Sequence, residues 1–249
     1  MNTPVKRILL SIRTYGYLKV LKFVFFEAYH FFWQQKIIRS FSQSKEDLII
    51  DKILKRKKSG YYVDIGAHNP TRFNNTQRFY LRGWRGINIE PDPENFKTFK
   101  VKRKRDVNLN IGIGRKKSRV NFYKFNPSTL STFSTQTADN YMQQGFQLVF
   151  TKKVVIDRLS AILSRYSKRH IDFMSIDTEG LELDVLQSNN WRKLRPAIIC
   201  IESHIDDFKR KKRIWNKEIP IYLENVGYKL YCDTGQNSIY VDKKTFQKT

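Results

Sequence analysis

The strongest constraint on the fold is an alternation that runs from residue 61 to residue 202. Short β-rich apolar runs, each stopped by glycine, proline or an acid, alternate with stretches of helical character. Tyr61-Tyr62-Val63-Asp64-Ile65 stops at Gly66, and Gly86-Ile87-Asn88-Ile89-Glu90 stops at Pro91. A helix is predicted over residues 75–82, closed by Gly83. Another opens at Asp92-Pro93-Glu94, with proline in the first turn and acids at the positive end of the helix dipole. Further strands are predicted at residues 107–111, 172–177 and 197–202, with additional ones at 119–125 and 152–156. Helices are expected from residue 157 or 158 to 166 and over 181–188. Residues 228–232 and 238–241 flank Asp233-Thr234-Gly235-Gln236-Asn237, a hairpin-like turn.

Strands that alternate with helices predict an α/β fold, a mainly parallel doubly wound sheet covered on both faces. The C-terminal hairpin adds an antiparallel strand at one end, the class I methyltransferase variant of the Rossmann-like sheet. The clearest boundary is the charge cluster at residues 55–58, followed by Ser59-Gly60. It divides a basic, aromatic-rich helical N-terminal arm, 1–58, from a Rossmann-like domain, 59–249.

In such sheets ligands sit beyond the carboxyl ends of the strands, near the point where the strand order reverses. After the first strand comes Asp64-Ile65-Gly66-Ala67-His68-Asn69-Pro70. Gly66 permits a tight turn and close approach of backbone to a ligand. A dinucleotide site would require G-x-G-x-x-G to cradle a pyrophosphate, and only one of those glycines is present. S-adenosylmethionine carries no phosphate, so one glycine suffices, with Asp64 toward its ammonium-bearing tail. Glu90 lies 26 positions beyond Asp64 and is placed to accept both ribose hydroxyls, near the spacing of about 20 in nucleotide-binding relatives of this fold.

The segment YYVDIGAHNPTRFNNTQRFYLRGWRGINIEPDPENF resembles the FkbM-type methyltransferases, whose pattern runs VDIGA-H/N-x-P, NNT, FY and GWxGINIEP. The similarity continues through Asn108-Leu109-Asn110-Ile111-Gly112, Leu130-Ser131-Thr132-Phe133 and Ile171-Asp172-Phe173. It then takes in Ile176-Asp177-Thr178-Glu179-Gly180 and Ile201-Glu202-Ser203-His204. Upstream, Ser42-Gln43-Ser44-Lys45-Glu46-Asp47 is similar to SQxGED, with Lys45 where the family has glycine. The resemblance implies O-methylation, commonly of sugar hydroxyls in glycans or natural products. It also implies that S-adenosylmethionine is held by Asp64, Gly66, Ala67, His68, Glu90 and the turn Asn110-Ile111-Gly112.

The end of the fourth main strand, Asp177-Thr178-Glu179-Gly180, is the best-placed catalytic candidate, with Glu202 and His204 at the end of the next. Methyl transfer from a sulfonium is an in-line displacement, so the enzyme aligns oxygen, carbon and sulfur while a base takes the hydroxyl proton. Asp177 or His204 is the candidate base, with Glu179 beside them. Asp177, Glu202 and His204 are also the candidate ligands for a divalent metal, a version ranked below the metal-free base.

The formal charge of +24 favours an anionic partner: nucleic acid, anionic lipid or phosphorylated glycan. Basic runs stand at residues 55–58, 102–105 and 209–213, each expected on a solvated surface; sharing a face with the aromatic N-terminal arm, they would suit an anionic membrane. Residues 1–40 carry Phe23, Phe25, Phe26, Phe31, Phe32 and Trp33. Charges at Lys6, Arg7, Arg13, Lys19, Lys22, Glu27 and Lys36 leave no run able to span a bilayer. This arm suits a helix lying in an anionic membrane interface, or one packed on the domain or on a second subunit. The expected location is cytoplasmic, peripheral on a membrane in the first case. Without a secretory signal, Asn74-Asn75-Thr76 carries no meaning as a glycosylation sequon. Two cysteines, Cys200 and Cys232, form no metal or disulfide pattern. The expected acceptor is a glycan or glycolipid. RNA is the rival, set back by the lack of an N-P-P-Y tetrapeptide; a non-catalytic protein keeping a relic fold is the second rival.

Overall fold

The structure, a computed structural model, describes residues 25, 40–167, 169–207 and 212–246. The aromatic arm expected over 1–40 therefore lies outside the described residues, apart from positions 25 and 40. Ser42–Thr249 forms one compact unit. In chain order it begins with α1 (Glu46–Ile53), β1 (Tyr61–Ile65), α2 (Gln77–Leu81), β2 (Arg85–Ile89), α3 (Pro93–Lys102) and β3 (Val107–Leu109). A second segment holds β4 (Gly112–Ile113), β5 (Ser118–Asn126), α4 (Thr135–Gln143) and β6 (Gln147–Asp157). The chain continues through α5 (Leu159–Tyr166), β7 (Phe173–Ile176), α6 (Glu182–Gln187), β8 (Ile198–Glu202), β9 (His204–Asp207) and β10 (Lys212–Trp215). It closes with α7 (Glu218–Asn225), β11 (Tyr228–Asp233), β12 (Asn237–Asp242) and α8 (Lys243–Phe246).

Seven strands form the main sheet in the order β3-β2-β1-β7-β8-β12-β11. The pairs from β3 to β8 are parallel. β12 runs antiparallel to both β8 and β11, so it is the one reversed strand of this sheet. This is the mainly parallel sheet with an antiparallel hairpin expected from the sequence. The chain leaves β1 toward β2 on one side, and β7 pairs with β1 on the other. The switch point therefore lies between the carboxyl ends of β1 and β7.

Strands buried on both faces need apolar residues at both parities, and these have them. Val63, Ile65, Met174, Ile176, Ile199 and Ile201 point to one face and pack with Leu163, Leu186 and Leu223 of α5, α6 and α7. Tyr62, Phe173, Ile198 and Cys200 point to the other and pack with Ile50 of α1 and Phe79 of α2. Each fully buried aliphatic side chain contributes about 1.5–3 kcal/mol.

Two expectations about boundaries change. The domain reaches back to Ser42, not 59, because α1 is welded to the sheet. Ile50 is fully buried, Asp51 binds Arg78 and Arg82, and Glu46 Oε1 accepts from Thr234 Oγ1 and Asn237 Nδ2. Lys45 takes up the left-handed φ of 67° that suits the family's glycine. Second, the strand expected over 152–156 is the end of an eleven-residue strand, β6. It pairs antiparallel with β5 and parallel with β4 in a separate three-stranded sheet. The strand expected over 107–111 stops at Leu109, and the chain crosses from one sheet to the other by Gly112. Among the described residues no helix is long and apolar enough to cross a membrane.

The basic run 102–105 is not a uniform surface patch. Lys102 and Lys104 are exposed, whereas Arg103 is fully buried. Its guanidinium donates to the Pro70 carbonyl at 2.8 and 3.1 Å, to Asn74 Oδ1 at 2.8 Å and to Tyr62 Oη at 2.8 Å. Asp106 lies 3.8 Å away and accepts from Tyr62 Oη, Asn88 Nδ2 and the Gly86 amide. A buried charge persists only when paired and hydrogen-bonded throughout, and this one anchors the loop that leaves β1. Arg103→Met should therefore lower stability by about 3–5 kcal/mol, while Lys104→Ala should change it by less than about 0.5 kcal/mol. Lys45→Gly should raise it by about 0.5–1 kcal/mol, the left-handed strain relieved less the added chain entropy. Urea midpoints of the three variants check these values.

Candidate active site

A cavity opens at the carboxyl edge of the sheet, over the switch point. Gly66 lines it, with φ 73°. A Cβ there would fall 1.7 Å from the Asp177 carbonyl oxygen, so no other residue fits without moving the ends of β1 and β7 apart. The Gly66 and Ala67 amides both donate to the Ile89 carbonyl, which turns the chain across the end of β2.

Glu90 stands at that end, buried, and lines the same cavity. Its Oε2 accepts from the His68 amide at 2.6 Å and its Oε1 from the Asp92 amide at 2.8 Å. An ionised carboxylate has about four acceptor positions, so each oxygen keeps capacity for a ligand hydroxyl. Burial pushes its pKa up to about 7, against the two backbone amides that favour the charge. Asn110 does not line the cavity. It works from behind, its Nδ2 donating to the Glu90 and Pro91 carbonyls and fixing the end of β2.

Asp64 is buried at the cavity wall, and burial raises its pKa. Its Oδ2 accepts from Thr76 Oγ1 at 2.9 Å and Asn74 Nδ2 at 3.0 Å. Asn74-Asn75-Thr76 is thus a structural brace. Asn75 completes it by donating to Ser175 Oγ on β7. His68 adopts a left-handed φ of 48°, and its Nε2 lies 2.9 Å from Ser128 Oγ. Burial, then the Lys124 charge, lowers its pKa, so the ring is neutral near pH 7. Lys124 is paired with Asp92. These two contacts lock the small sheet onto the rim, where Phe122, Ser131 and Phe133 join Ile111, Gly112 and Ile113 in the wall.

Asp177, Thr178 and Glu179 line the cavity from the end of β7. Their loop is held by Glu182, which sequence reasoning missed. Its Oε1 accepts from the Thr178 amide and hydroxyl, and its Oε2 from the Gly180 amide at 3.1 Å. Its sequence signal was an acid opening a helix four residues after Thr178. Phe122 and Ser128 were also missed, since both belong to the small sheet.

The expected constellation therefore comes together in part. Asp64, Gly66, Ala67, His68, Glu90, Ile111, Gly112, Asp177 and Glu179 line one cavity, while Asn110, Glu202 and His204 do not. Among the described residues, carboxylate oxygens of Asp177, Glu182 and Glu202 lie within 4.8 Å of one another. Glu182, not His204, thus completes the candidate metal ligands, and its oxygens already hold the 178–180 loop. His204 turns its ring toward Trp215, at 6.2 Å between centroids, and its buried Nδ1 has no hydrogen-bond partner among the described residues.

The sequence model of the methyltransferase FkbM domain matches residues 64–230. Comparison with curated protein sequences yields no match. Among solved structures, the chain is similar to methyltransferase FkbM from Methylobacillus flagellatus KT at 15% identity and a TM-score of 0.42. That alignment covers 74% of this chain but 44% of the other, so this chain spans less than half of that protein. It is also similar to the METTL16 MTase domain (12% identity, TM-score 0.44, 80% and 66% covered). An O-methyltransferase from Bacillus cereus in complex with SAH aligns at 10% identity and a TM-score of 0.36, with 80% of each chain covered.

The raised pKa of Glu90 has a measurable consequence. A ribose hydroxyl held at Glu90 would donate to the ionised carboxylate, so such binding would expel a proton near and below pH 7. Affinity for S-adenosylmethionine should rise as pH increases from 6 to 8, by up to about tenfold per unit on the acid side. The same group stabilises the ligand-free protein at low pH and loses that contribution as pH rises through about 7. Calorimetry in buffers of different ionisation enthalpy should detect the released proton. Glu90→Gln should abolish the pH slope and weaken binding by about 1–3 kcal/mol.

Proposed function

The chain belongs to the FkbM methyltransferase family, and from that premise we propose that it transfers a methyl group from S-adenosylmethionine to a sugar hydroxyl of a glycan, lipid-linked in the fullest version. The observation that carries this reading is that Gly66, Glu90 and Asp177 share one cavity at the switch point. The residues fit the cofactor. Glu90 has acceptor capacity for two ribose hydroxyls, and Gly66 leaves backbone where a Cβ would intrude. Ile111, Ile113, Phe122 and Phe133 offer the apolar wall that a purine takes. The single glycine-containing turn has no array of amides for a pyrophosphate.

When bound, S-adenosylmethionine supplies an electrophilic methyl group on a sulfonium. Glu90 orients the ribose, and the β1 turn with Asp64 faces the amino-acid tail. Asp177 receives the proton of the acceptor hydroxyl as its oxygen attacks, and Glu179, in its left-handed turn, orients neighbouring hydroxyls of the sugar. The expected His204 base is set aside in this mechanism, because His204 stands off the cavity wall. Alignment supplies most of the rate in such a displacement, and the base supplies the rest.

The test is transfer of labelled methyl to glycans and glycolipids extracted from the host. Asp177→Asn should lower turnover by about 10²–10⁴-fold with cofactor affinity nearly unchanged, and His204→Ala should cost less than about tenfold. Full turnover in Asp177→Asn would remove Asp177 from the reaction.

A further inference from the structure

Helices antiparallel to their strands return the chain to the amino-terminal edge of the sheet before each parallel strand. In this chain those returns are basic almost without exception. Lys58 precedes β1, Arg85 opens β2, Arg105 precedes β3, Arg169 precedes β7 and Lys193 precedes β8. Lys244 follows β12, which ends at the same edge because it is reversed; all six are exposed. The acids of these loops are neutralised internally: Asp106 faces Arg103, Asp172 binds Lys57 and Asp242 binds Arg195, and all three acids are shielded from solvent. Glu224 is exposed but lies 4.0 Å from Lys243.

The result is a row of cations across six adjacent strands, β3 to β12, a width of about 24 Å at the usual strand spacing. It is not a groove. At its rim stand two of the most exposed aliphatic side chains, Leu81 at the end of α2 (60% exposed) and Val101 near the end of α3 (66%). The two helix ends are tied together by Arg105, which donates to the Tyr80 carbonyl and stacks 4.1 Å over the Tyr80 ring.

We propose that this amino-terminal edge is a docking surface for an anionic lipid bilayer, distinct from the cofactor cavity at the opposite edge. Spread cations match a plane of anionic headgroups, and aliphatic side chains among them gain by entering the interface. A single-stranded nucleic acid would instead call for a channel and aromatic stacking platforms. The docking does not depend on the transferase reading; because the cavity mouth then faces away from the lipid, it fits an acceptor glycan reached from solution and not the lipid-linked version.

The test uses the full chain and flotation with phosphatidylcholine vesicles containing about 30% phosphatidylglycerol. One variant carries Lys58→Gln, Arg85→Gln, Arg169→Gln, Lys193→Gln and Lys244→Gln. Its control removes the same charge from exposed positions of the small sheet, with Lys116, Lys117, Arg119, Lys152 and Lys153 each changed to Gln. Circular dichroism confirms that both remain folded. The edge variant should lose about 100-fold or more in vesicle partitioning, and the control less than about tenfold. Leu81→Ser with Val101→Ser should weaken the binding that survives 0.5 M salt, a concentration of the order at which surface charges are screened. Equal losses in the two charge variants would show attraction by net charge alone and overturn the proposal. So would unchanged partitioning of the edge variant, or a loss confined to binding of an RNA oligonucleotide.

Discussion

The close approach of Gly66 to the Asp177 carbonyl is the constraint on which the site depends. β1 and β7 lie side by side, and a single methyl group at position 66 would collide with backbone that has no freedom to retreat. That approach brings the turn that would face a nucleoside ligand directly against the strand end that carries Asp177. It also frees the Gly66 and Ala67 amides to bind the end of β2, so that Glu90 reaches the same cavity. One glycine thus sets the distance between the Glu90 and Asp177 sides of the cavity. Precision of this kind governs rate more than any single charged group does in an in-line displacement.

Holding that geometry requires polar groups in places where water is excluded. Arg103, Asp106, Tyr62, Asn74 and Thr76 form one buried network under the β1 turn. Removing any one member leaves another without its partner, which costs more than the interaction itself contributes. Glu90 is the counterpart on the ligand side. Its carboxylate is desolvated before any ligand arrives, so part of its ionisation is deferred until hydroxyl donors are present. Preorganised acceptors of this sort destabilise the empty protein slightly and gain the energy back on binding.

Much of this was legible in the sequence because it follows from period and punctuation. β-rich runs stopped by glycine, proline or acid located Gly66, Glu90 and Asp177 at strand ends, and the alternation with helices gave the sheet. Position along a strand says little about which way the chain departs, however. Glu202 ends β8 and His204 follows it much as Asp177 follows β7, but β9 turns His204 toward Trp215 and off the cavity wall. Composition misled at Arg103, which sits in a run of four basic residues and yet is the one without solvent contact. Burial there is decided by Pro70, Asn74 and Tyr62, which are 29 to 41 positions away in sequence. Glu182 was hidden by the same kind of non-local logic on a smaller scale. The extent of β6 escaped because most of its first seven residues are exposed and none is buried, so no clear apolar alternation marks them.

The central claim is that this cavity binds a nucleoside-bearing sulfonium cofactor through Glu90 and presents its sulfur to Asp177. A crystal structure with S-adenosylhomocysteine tests it most directly. The account predicts the ribose hydroxyls on the two Glu90 oxygens, the purine against Phe122 and Ile113, and the sulfur on the Asp177 side of Gly66. Binding of the ligand elsewhere, or occupation of the cavity by NAD with no affinity for S-adenosylhomocysteine, would contradict it.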